Sequence, residues 1–362
     1  MLIDIIAGAR PNFIKIASII NALNDKDQKK INYRLIHTGQ HYDDEMSQSF
    51  FRQLNIPKPD INLDVGSGSQ ADQTGRIMYE YEKVIHRQAA KLCLVVGDVN
   101  STMACAITSK KMNIKVAHVE AGIRSGDLTM PEEINRIVTD SITDYFFTTS
   151  NFANINLKNI GINPKNIYFV GNTMIDTLLN SQNNFIKPKF WDEYHLKNND
   201  YFVLTMHRPN NVDNLNIFKK NLETIANSLS GLRIIFPVHP RTQLILKQIN
   251  ELPQNLFCVD PQPYLEFNYM VKNAKAVITD SGGITEEATV FGVPCLTMRD
   301  STERPETIEC GTNILIGLNP KNLEPQINKI LSNKWKKGSI PEKWDGKTGL
   351  RIVKVLNEIL NN

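Results

Sequence analysis

The chain carries almost no surplus charge. Its 362 residues hold 41 Lys and Arg against 38 Asp and Glu, a net +3 with no long block of either sign. A dedicated nucleic-acid binder usually presents a basic stripe, so no nucleic-acid partner is expected, although a local anion site remains open. Paired cysteines are also missing. Cys93, Cys105, Cys258, Cys295 and Cys310 are odd in number and none forms a CxxC pair. That indicates neither a disulfide framework nor a zinc site, and a reducing cytoplasm is the expected location. No apolar run approaches the roughly 18 residues of a membrane span, so no membrane association is expected. The opening "MLIDIIAG" has no basic lead and is interrupted by Asp4; it reads as a first strand rather than a signal peptide. A GxGxxG fingerprint is absent, so nothing points to bound NAD, and no cofactor is expected. There is no internal repeat and no low-complexity tract.

What the chain does contain is rhythm. Apolar strand-length runs alternate with amphipathic helix-length segments: "LIDIIAG" (2–8), "YRLIHTG" (33–39), "LCLVVGD" (92–98), "KVAHVE" (115–120), "YFFTTS" (145–150) and "IYFVG" (167–171). After the polar stretch 185–200 the series restarts with "YFVLTMH" (201–207), "LRIIFPVH" (232–239), "NLFCVD" (255–260), "KAVITDS" (275–281), "VPCLTM" (293–298) and "NILIG" (313–317). Continuous apolar strands separated by helices mean parallel sheets covered on both faces. The expected fold class is therefore α/β, with two Rossmann-like doubly wound domains and a central cleft. At roughly 150 residues per domain the length allows two. Pro11 suits the first turn of the first helix, where Phe13, Ile16, Ala17, Ile20 and Leu23 recur at helical spacing.

Ligands of open parallel sheets bind beyond the carboxyl ends of the strands, so the strand-to-helix corners hold the candidates. In "TDSGGITEEA" (279–288), Ser281, Gly282 and Gly283 stand where a strand turns into a helix. Amides free at a helix start, with no Cβ in the way, suit a diphosphate. The plainer reading is a tight turn whose glycines serve packing, with Glu286 and Glu287 favouring the helix dipole. Carboxylates repel a bare phosphate but accept from ribose hydroxyls, so the pair fits a nucleotide. Successive helical residues point about 100° apart, so only one of the two faces the ligand.

Arg10 and Lys15 sit in the first loop and first helical turns, where cations oppose the helix dipole unless an anion offsets them; solvated surface cations are the plainer alternative. Asp98 follows an apolar strand directly and reads either as a cleft residue or as a helix cap. Glu120 ends a buried strand, where a carboxylate is costly without a partner. Glu132 follows Pro131, and Thr129-x-x-Glu132 matches a capping box. His207 and Arg208 end the first strand of the second series, and His239 is a weaker candidate of the same kind. His37 and His41 have i,i+4 spacing, followed by Asp43, Asp44 and Glu45. No third ligand follows at a recognised spacing, so this stretch reads as a solvated loop and no metal is expected.

Taken in order, "GARPNFIK" (8–15), "GDVNST" (97–102), "HVEAGIRSGDLTMPEEINR" (118–136), "GNTMIDTLL" (171–179), "HRPNN" (207–211), "PVHP" (237–240), "DPQPYLEF" (260–267), "TDSGGITEEA" (279–288) and "MRDSTERPE" (298–306) resemble the non-hydrolysing UDP-N-acetylglucosamine 2-epimerases. Each motif alone is weak, and the ordered set is specific. The resemblance implies the architecture of nucleotide-sugar glycosyltransferases of the B type. One domain would comprise residues 1–170 plus 348–362 and the other 171–347, with the last helix returning to the first domain. It implies that Ser281, Gly282 and Gly283 hold the diphosphate and Glu287 the ribose, and that Gln262 and Phe267 flank the uracil. Arg10, Lys15 and Arg304 would add positive charge, and Asp98, Glu120, Glu132 and His207 would form the acid–base set.

The implied reaction interconverts UDP-GlcNAc and UDP-ManNAc. UDP leaves C1 in an anti elimination as the C2 proton is removed, and it adds back to the 2-acetamidoglucal after reprotonation from the other face. A homodimer acting on a UDP-amino-sugar is implied as well. Ala9, Asn12, "HRPNN" and Ser69 depart from the pattern of well-known members, and "GARPNFIK" leans toward relatives acting on UDP-2,3-diacetamido-glucuronate. A 2-epimerase of such a modified sugar, a hydrolysing epimerase and a glycosyltransferase of the same fold are the alternatives.

Overall fold

Each apolar run anticipated as a strand forms one. The computed structural model describes residues 1–25, 31–39, 51, 53–229 and 231–361, and they divide into two units. Met1–Ser181 with Glu342–Asn362 make the first unit, and Gln182–Pro341 make the second. The first holds β1 (Leu2–Ala7), β2 (Asn32–His37), β3 (Ile61–Asn62), β4 (Leu92–Val96), β5 (Lys115–Val119), β6 (Tyr145–Thr148) and β7 (Ile167–Phe169). Their order in the sheet is β3-β2-β1-β4-β5-β6-β7. The second unit holds β8 (Tyr201–Thr205), β9 (Arg233–Pro237), β10 (Leu256–Val259), β11 (Ala276–Thr279), β12 (Cys295–Thr297) and β13 (Asn313–Leu315), in the order β10-β9-β8-β11-β12-β13. The pairings are parallel throughout both sheets. Among the described strands only the two-residue β3 had no sequence signal, being too short for any periodicity.

The unbroken apolar character of these strands follows from their packing. Along β8, Phe202 and Leu204 enter one hydrophobic cluster while Tyr201 and Val203 enter another. On β11, Ile278 and Val277 divide the same way. Both faces are covered, so neither position of the two-residue repeat tolerates a polar side chain. Asp4 is the instructive exception. It lies fully buried in mid-β1, opposite Arg34 of β2, whose Nε and Nη2 each donate to it at 2.9 Å, and the Tyr81 hydroxyl adds a third bond at 2.9 Å. Burial pushes its carboxyl above the usual range despite Arg34 and Tyr81 pulling it down.

In each sheet the chain reverses direction of winding at one point: between β1 and β4 in the first, and between β8 and β11 in the second. Helices leave such neighbouring strands to opposite faces, which opens a crevice at their carboxyl ends.

The final helix, Thr348–Asn361, packs on the Arg10–Leu23 helix. It is anchored where the Gly349 amide donates to Asp176 at 2.7 Å, and Trp344 Nε1 donates to the Thr149 carbonyl at 3.1 Å. The approach of the two helices is close enough that a Cβ on Gly349 would lie 2.4 Å from the Ser18 carbonyl oxygen. Backbone cannot yield there as a flexible side chain would. Gly349→Ala is therefore expected to destabilise the first unit by about 1–3 kcal/mol, the usual cost of overpacking. Urea unfolding followed by circular dichroism checks this, and an unchanged midpoint would refute the tight crossing.

Candidate active site

In the first unit, the corners after β1, β4 and β5 are tied to one another. Asn12 holds the first corner: its Oδ1 accepts from the amides of Gly8 at 3.3 Å and Ala9 at 2.9 Å, while Nδ2 donates to the Val96 carbonyl at 2.9 Å. A turn later Lys15 is buried, and its Nζ meets Glu120 Oε2 at 2.7 Å. The same ammonium lies 2.9 Å from where a Cβ on Gly97 would sit, immediately before Asp98. The plainer expectation of a solvated Lys15 therefore fails, because the helix it belongs to faces the sheet. The described structure places Arg10 at the start of that helix.

Glu120 adopts a φ of 70°, a left-handed conformation uncommon outside glycine. It is sustained because the amides of Glu120 and Ala121 both donate to the Phe147 carbonyl, at 3.0 and 3.1 Å. Residues held in such conformations concentrate at functional sites.

Asp98 is not a helix cap: the following helix is capped at Val99 and begins at Asn100. Its carboxylate accepts instead from Arg136 Nε at 3.0 Å and Nη2 at 2.6 Å, and its carbonyl accepts from Asn135 Nδ2 at 2.9 Å. Arg136 is itself buried and also donates to Glu133 at 2.6 Å. The anticipated Thr129–Glu132 capping box does not form. Met130 is the cap residue of the Pro131–Ile142 helix, and Thr129 bonds Asp127 instead. Pro131 thereby shifts the third helical position to Glu133, whose carboxylate receives the amides of Ser125 and Gly126 at 3.0 Å each. Burial pushes the Glu133 carboxyl up, but those amides and Arg136 outweigh it and hold the group below its ordinary value. Glu132 stands exposed on the first turn, next to this buried clamp.

In the second unit, Asp280 organises the corner after β11. This buried carboxylate receives the amides of His207 and Arg208, the Asn211 side chain and the His207 ring, with Nδ1 at 2.9 Å. Burial alone would raise its pKa; the His207 ring, the Arg208 amide and Asn211 together keep it below the usual carboxylate range. His207 is thus held by one ring nitrogen and remains 40% exposed in its side chain. The His239 ring lies 5.7 Å away, centroid to centroid.

The helix Gly282–Phe291 begins directly after Ser281. The Ser281 side chain forms no capping bond, and no acidic residue occupies the first turn. Ser281, Gly282 and Gly283 are half-buried. The Ser281 amide donates to Thr279 Oγ1 at 2.9 Å, so the helix start offers an external anion the amides of Gly282 and Gly283. Glu286 and Glu287, both buried, differ sharply in their surroundings. Glu286 is paired with Arg304 Nε at 2.5 Å. Glu287 has no such cation among the described residues: burial pushes its carboxyl up to about 8, a hydrogen bond with Asn268 opposes this, and the charge of Glu286 adds to it. Arg304 accordingly serves first as the counterion of Glu286.

Gln262 is half-buried, with its amide turned to the Asp260 carbonyl at 2.7 Å, and Phe267 is half-buried against the cluster around β8 and β11. His37 is buried at the end of β2 beside Phe13, at 5.2 Å between rings, rather than in a solvated loop. His41, Asp43, Asp44 and Glu45 lie outside the described residues. Among the described residues, no group of three His, Cys, Asp or Glu could hold a metal, and no helix is long and apolar enough to cross a membrane.

Sequence reasoning missed Asp280, Arg136 and Glu133, although all three lie inside quoted motifs. Asp280 follows an apolar strand directly, whereas Glu133 and Arg136 lie within the Pro131–Ile142 helix, and neither position reveals a partner.

The profile of the family described as "UDP-N-acetylglucosamine 2-epimerase" matches residues 23–357. The UDP-N-acetylglucosamine 2-epimerase of Methanocaldococcus jannaschii is 43% identical over 98% of this chain and 99% of its own length. A Pseudomonas aeruginosa protein named UDP-2,3-diacetamido-2,3-dideoxy-D-glucuronate 2-epimerase is 40% identical over 88% of each chain. The crystal structure of the M. jannaschii UDP-GlcNAc 2-epimerase in complex with UDP-GlcNAc and UDP superposes with a TM-score of 0.87, covering 99% of this chain and 100% of that one.

The Glu287 environment has a measurable consequence. Unfolded, this carboxyl titrates near its ordinary 4.5; folded, it does so near 8. The folded state keeps a proton that the unfolded state releases, so its contribution is fully present below about pH 4.5 and is lost as pH rises through 8. Relative to the parent protein, Glu287→Gln should therefore gain stability from pH 5 to pH 8 and level off above. The gain is on the order of a few kcal/mol at most. Chemical denaturation at pH 5, 7 and 9 reads it, and a pH-independent difference would contradict a neutral buried carboxyl.

Proposed function

Because the chain belongs to the UDP-N-acetylglucosamine 2-epimerase family, we propose that it interconverts UDP-GlcNAc and UDP-ManNAc without net hydrolysis. The C2 proton of an N-acetylhexosamine is barely acidic, and direct abstraction would leave an unstabilised carbanion. Coupling its removal to departure of UDP avoids this: as a carboxylate takes the C2 proton, the C–H electron pair becomes the C1=C2 bond and UDP leaves with the C1–O pair. Protonation of C2 from the opposite face and return of UDP to C1 then complete the inversion.

The observation that carries this reading is the pair of carboxylates at neighbouring strand ends. Asp98 after β4 is locked by the Arg136 fork, and Glu120 after β5 is fixed by Lys15. Two immobilised acid–base groups suit a reaction that removes a proton on one face and delivers one on the other. Glu132 and the partly exposed His207 complete the proposed acid–base set. The uncapped helix start at Ser281–Gly283 suits a diphosphate that must be stabilised as it leaves and retained until it returns. Glu287, largely protonated near neutral pH, both donates to and accepts from a ribose hydroxyl. Gln262 and Phe267 serve the uracil, and Arg10 adds charge near the nucleotide. The enzyme is read as a cytoplasmic homodimer without cofactor.

A second reading, a 2-epimerase of UDP-2,3-diacetamido-glucuronate, is supported by the 40% identity to the P. aeruginosa relative of that name. It keeps the chemistry and changes the sugar.

Incubation with each UDP-sugar in D₂O, followed by NMR, tests both. The expected result is deuterium at C2 and the epimeric UDP-sugar, with no matching rise in free sugar. Asp98→Asn should lower kcat by about 10²–10⁴-fold while UDP affinity stays within a few-fold. Absence of C2 exchange with either sugar, or an unimpaired Asp98→Asn enzyme, would refute the proposal.

A further inference from the structure

Arg299 follows β12, beside the corner that carries Ser281 and Gly282. Its side chain is only 6% exposed, and Nη2 lies 2.7 Å from Glu303 Oε2. The other terminal nitrogen, Nη1, is buried and has no hydrogen-bond partner among the described residues. It sits 3.8 Å from the point where a Cβ on Gly282 would be, and Glu303 Oε1 sits 3.3 Å from that point. The missing Cβ of Gly282 leaves open the space between the helix start and this guanidinium. A buried N–H without an acceptor costs free energy, and a charged one more so. Arginine in particular offers a planar fork, able to engage one anion with each terminal nitrogen.

The charges nearby favour an anion as the missing acceptor. Glu303 faces two cations, Arg299 and Arg208, the latter with Nη2 at 3.7 Å, so these three groups sum to one positive charge. Arg208 is itself fixed by its Nε on the Asp280 carbonyl at 3.0 Å. The start of a ten-residue helix adds its uncapped amides.

We propose that Arg299 is a diphosphate-binding residue, its Nη1 donating to an oxygen of the diphosphate seated on the Ser281–Gly283 turn while Nη2 stays on Glu303. This rests on the UDP-sugar reading above. Arg299 was not among the residues marked out from the sequence, and Arg304, which was, has its Nε committed to Glu286.

The test compares UDP with uridine on the full-length protein by calorimetry and ligand-observed NMR. Arg299→Gln should weaken UDP roughly 10–100-fold, the effect of losing one charge-assisted hydrogen bond, and leave uridine within two-fold. Arg299→Lys, which keeps the charge but not the fork, should fall between. Glu303→Gln, which frees Arg299 from its pair, should hold or tighten UDP. Equal UDP affinity of Arg299→Gln and parent would overturn the assignment. So would equal losses for UDP and uridine, or a Glu303→Gln loss matching that of Arg299→Gln, since Arg299 would then act only by holding the fold around Glu303. If Arg299→Gln does not fold, the Lys and Glu303 variants decide alone. A parent protein that binds no UDP overturns the nucleotide reading itself, a result distinct from parent binding that survives the Arg299 substitutions.

Discussion

A sheet covered on both faces admits a carboxylate only where a cation or a set of donors answers it, and the polar architecture of this chain follows from that constraint. Asp4 survives in mid-strand because Arg34 and Tyr81 meet it. Glu120 is answered by Lys15, Asp98 by Arg136, Asp280 by two amides, an amide side chain and a histidine, and Glu286 by Arg304. Most of these lie at the carboxyl ends of strands, where helices diverge and side chains converge.

Among the described residues Glu287 is a buried carboxyl that meets no cation, and burial pushes it up to about 8. One turn-forming sequence therefore supplies two unlike carboxyls side by side. Glu286 ties its helix to the segment around Arg304, while Glu287, pushed up to about 8 by burial, meets Asn268 instead of a cation. The contrast arises from the helical rotation between them, which aims one at a guanidinium and the other at Asn268.

Fixed partners also hold the proposed acid–base groups in place. The Arg136 fork binds Asp98 and Glu133 together, and Glu133 in turn gathers the amides of Ser125 and Gly126. The loop between β5 and the Pro131 helix is thereby stitched to the corner after β4. A group that must meet one C–H bond gains from such prior ordering, since the entropy of positioning is lost in folding rather than at each turnover.

The apolar runs determined the strands, their parallel pairing and the two doubly wound units, because a strand buried on both faces leaves a signature in every residue. They also located the corners: Asp98, Glu120, His207 and the Ser281–Gly283 turn were all legible as residues next to such runs. Partners were not legible. The Thr129–Glu132 spacing suggested a cap that Pro131 displaced by one residue, and Lys15 resembled any surface lysine until its helix was laid against the sheet. Asp280 and Arg136 bond groups 38 or more positions away, and Arg299 faces the space left by the missing Cβ of Gly282. Which charge answers which depends on how strands are ordered across the sheet, and local sequence carries no record of that distance.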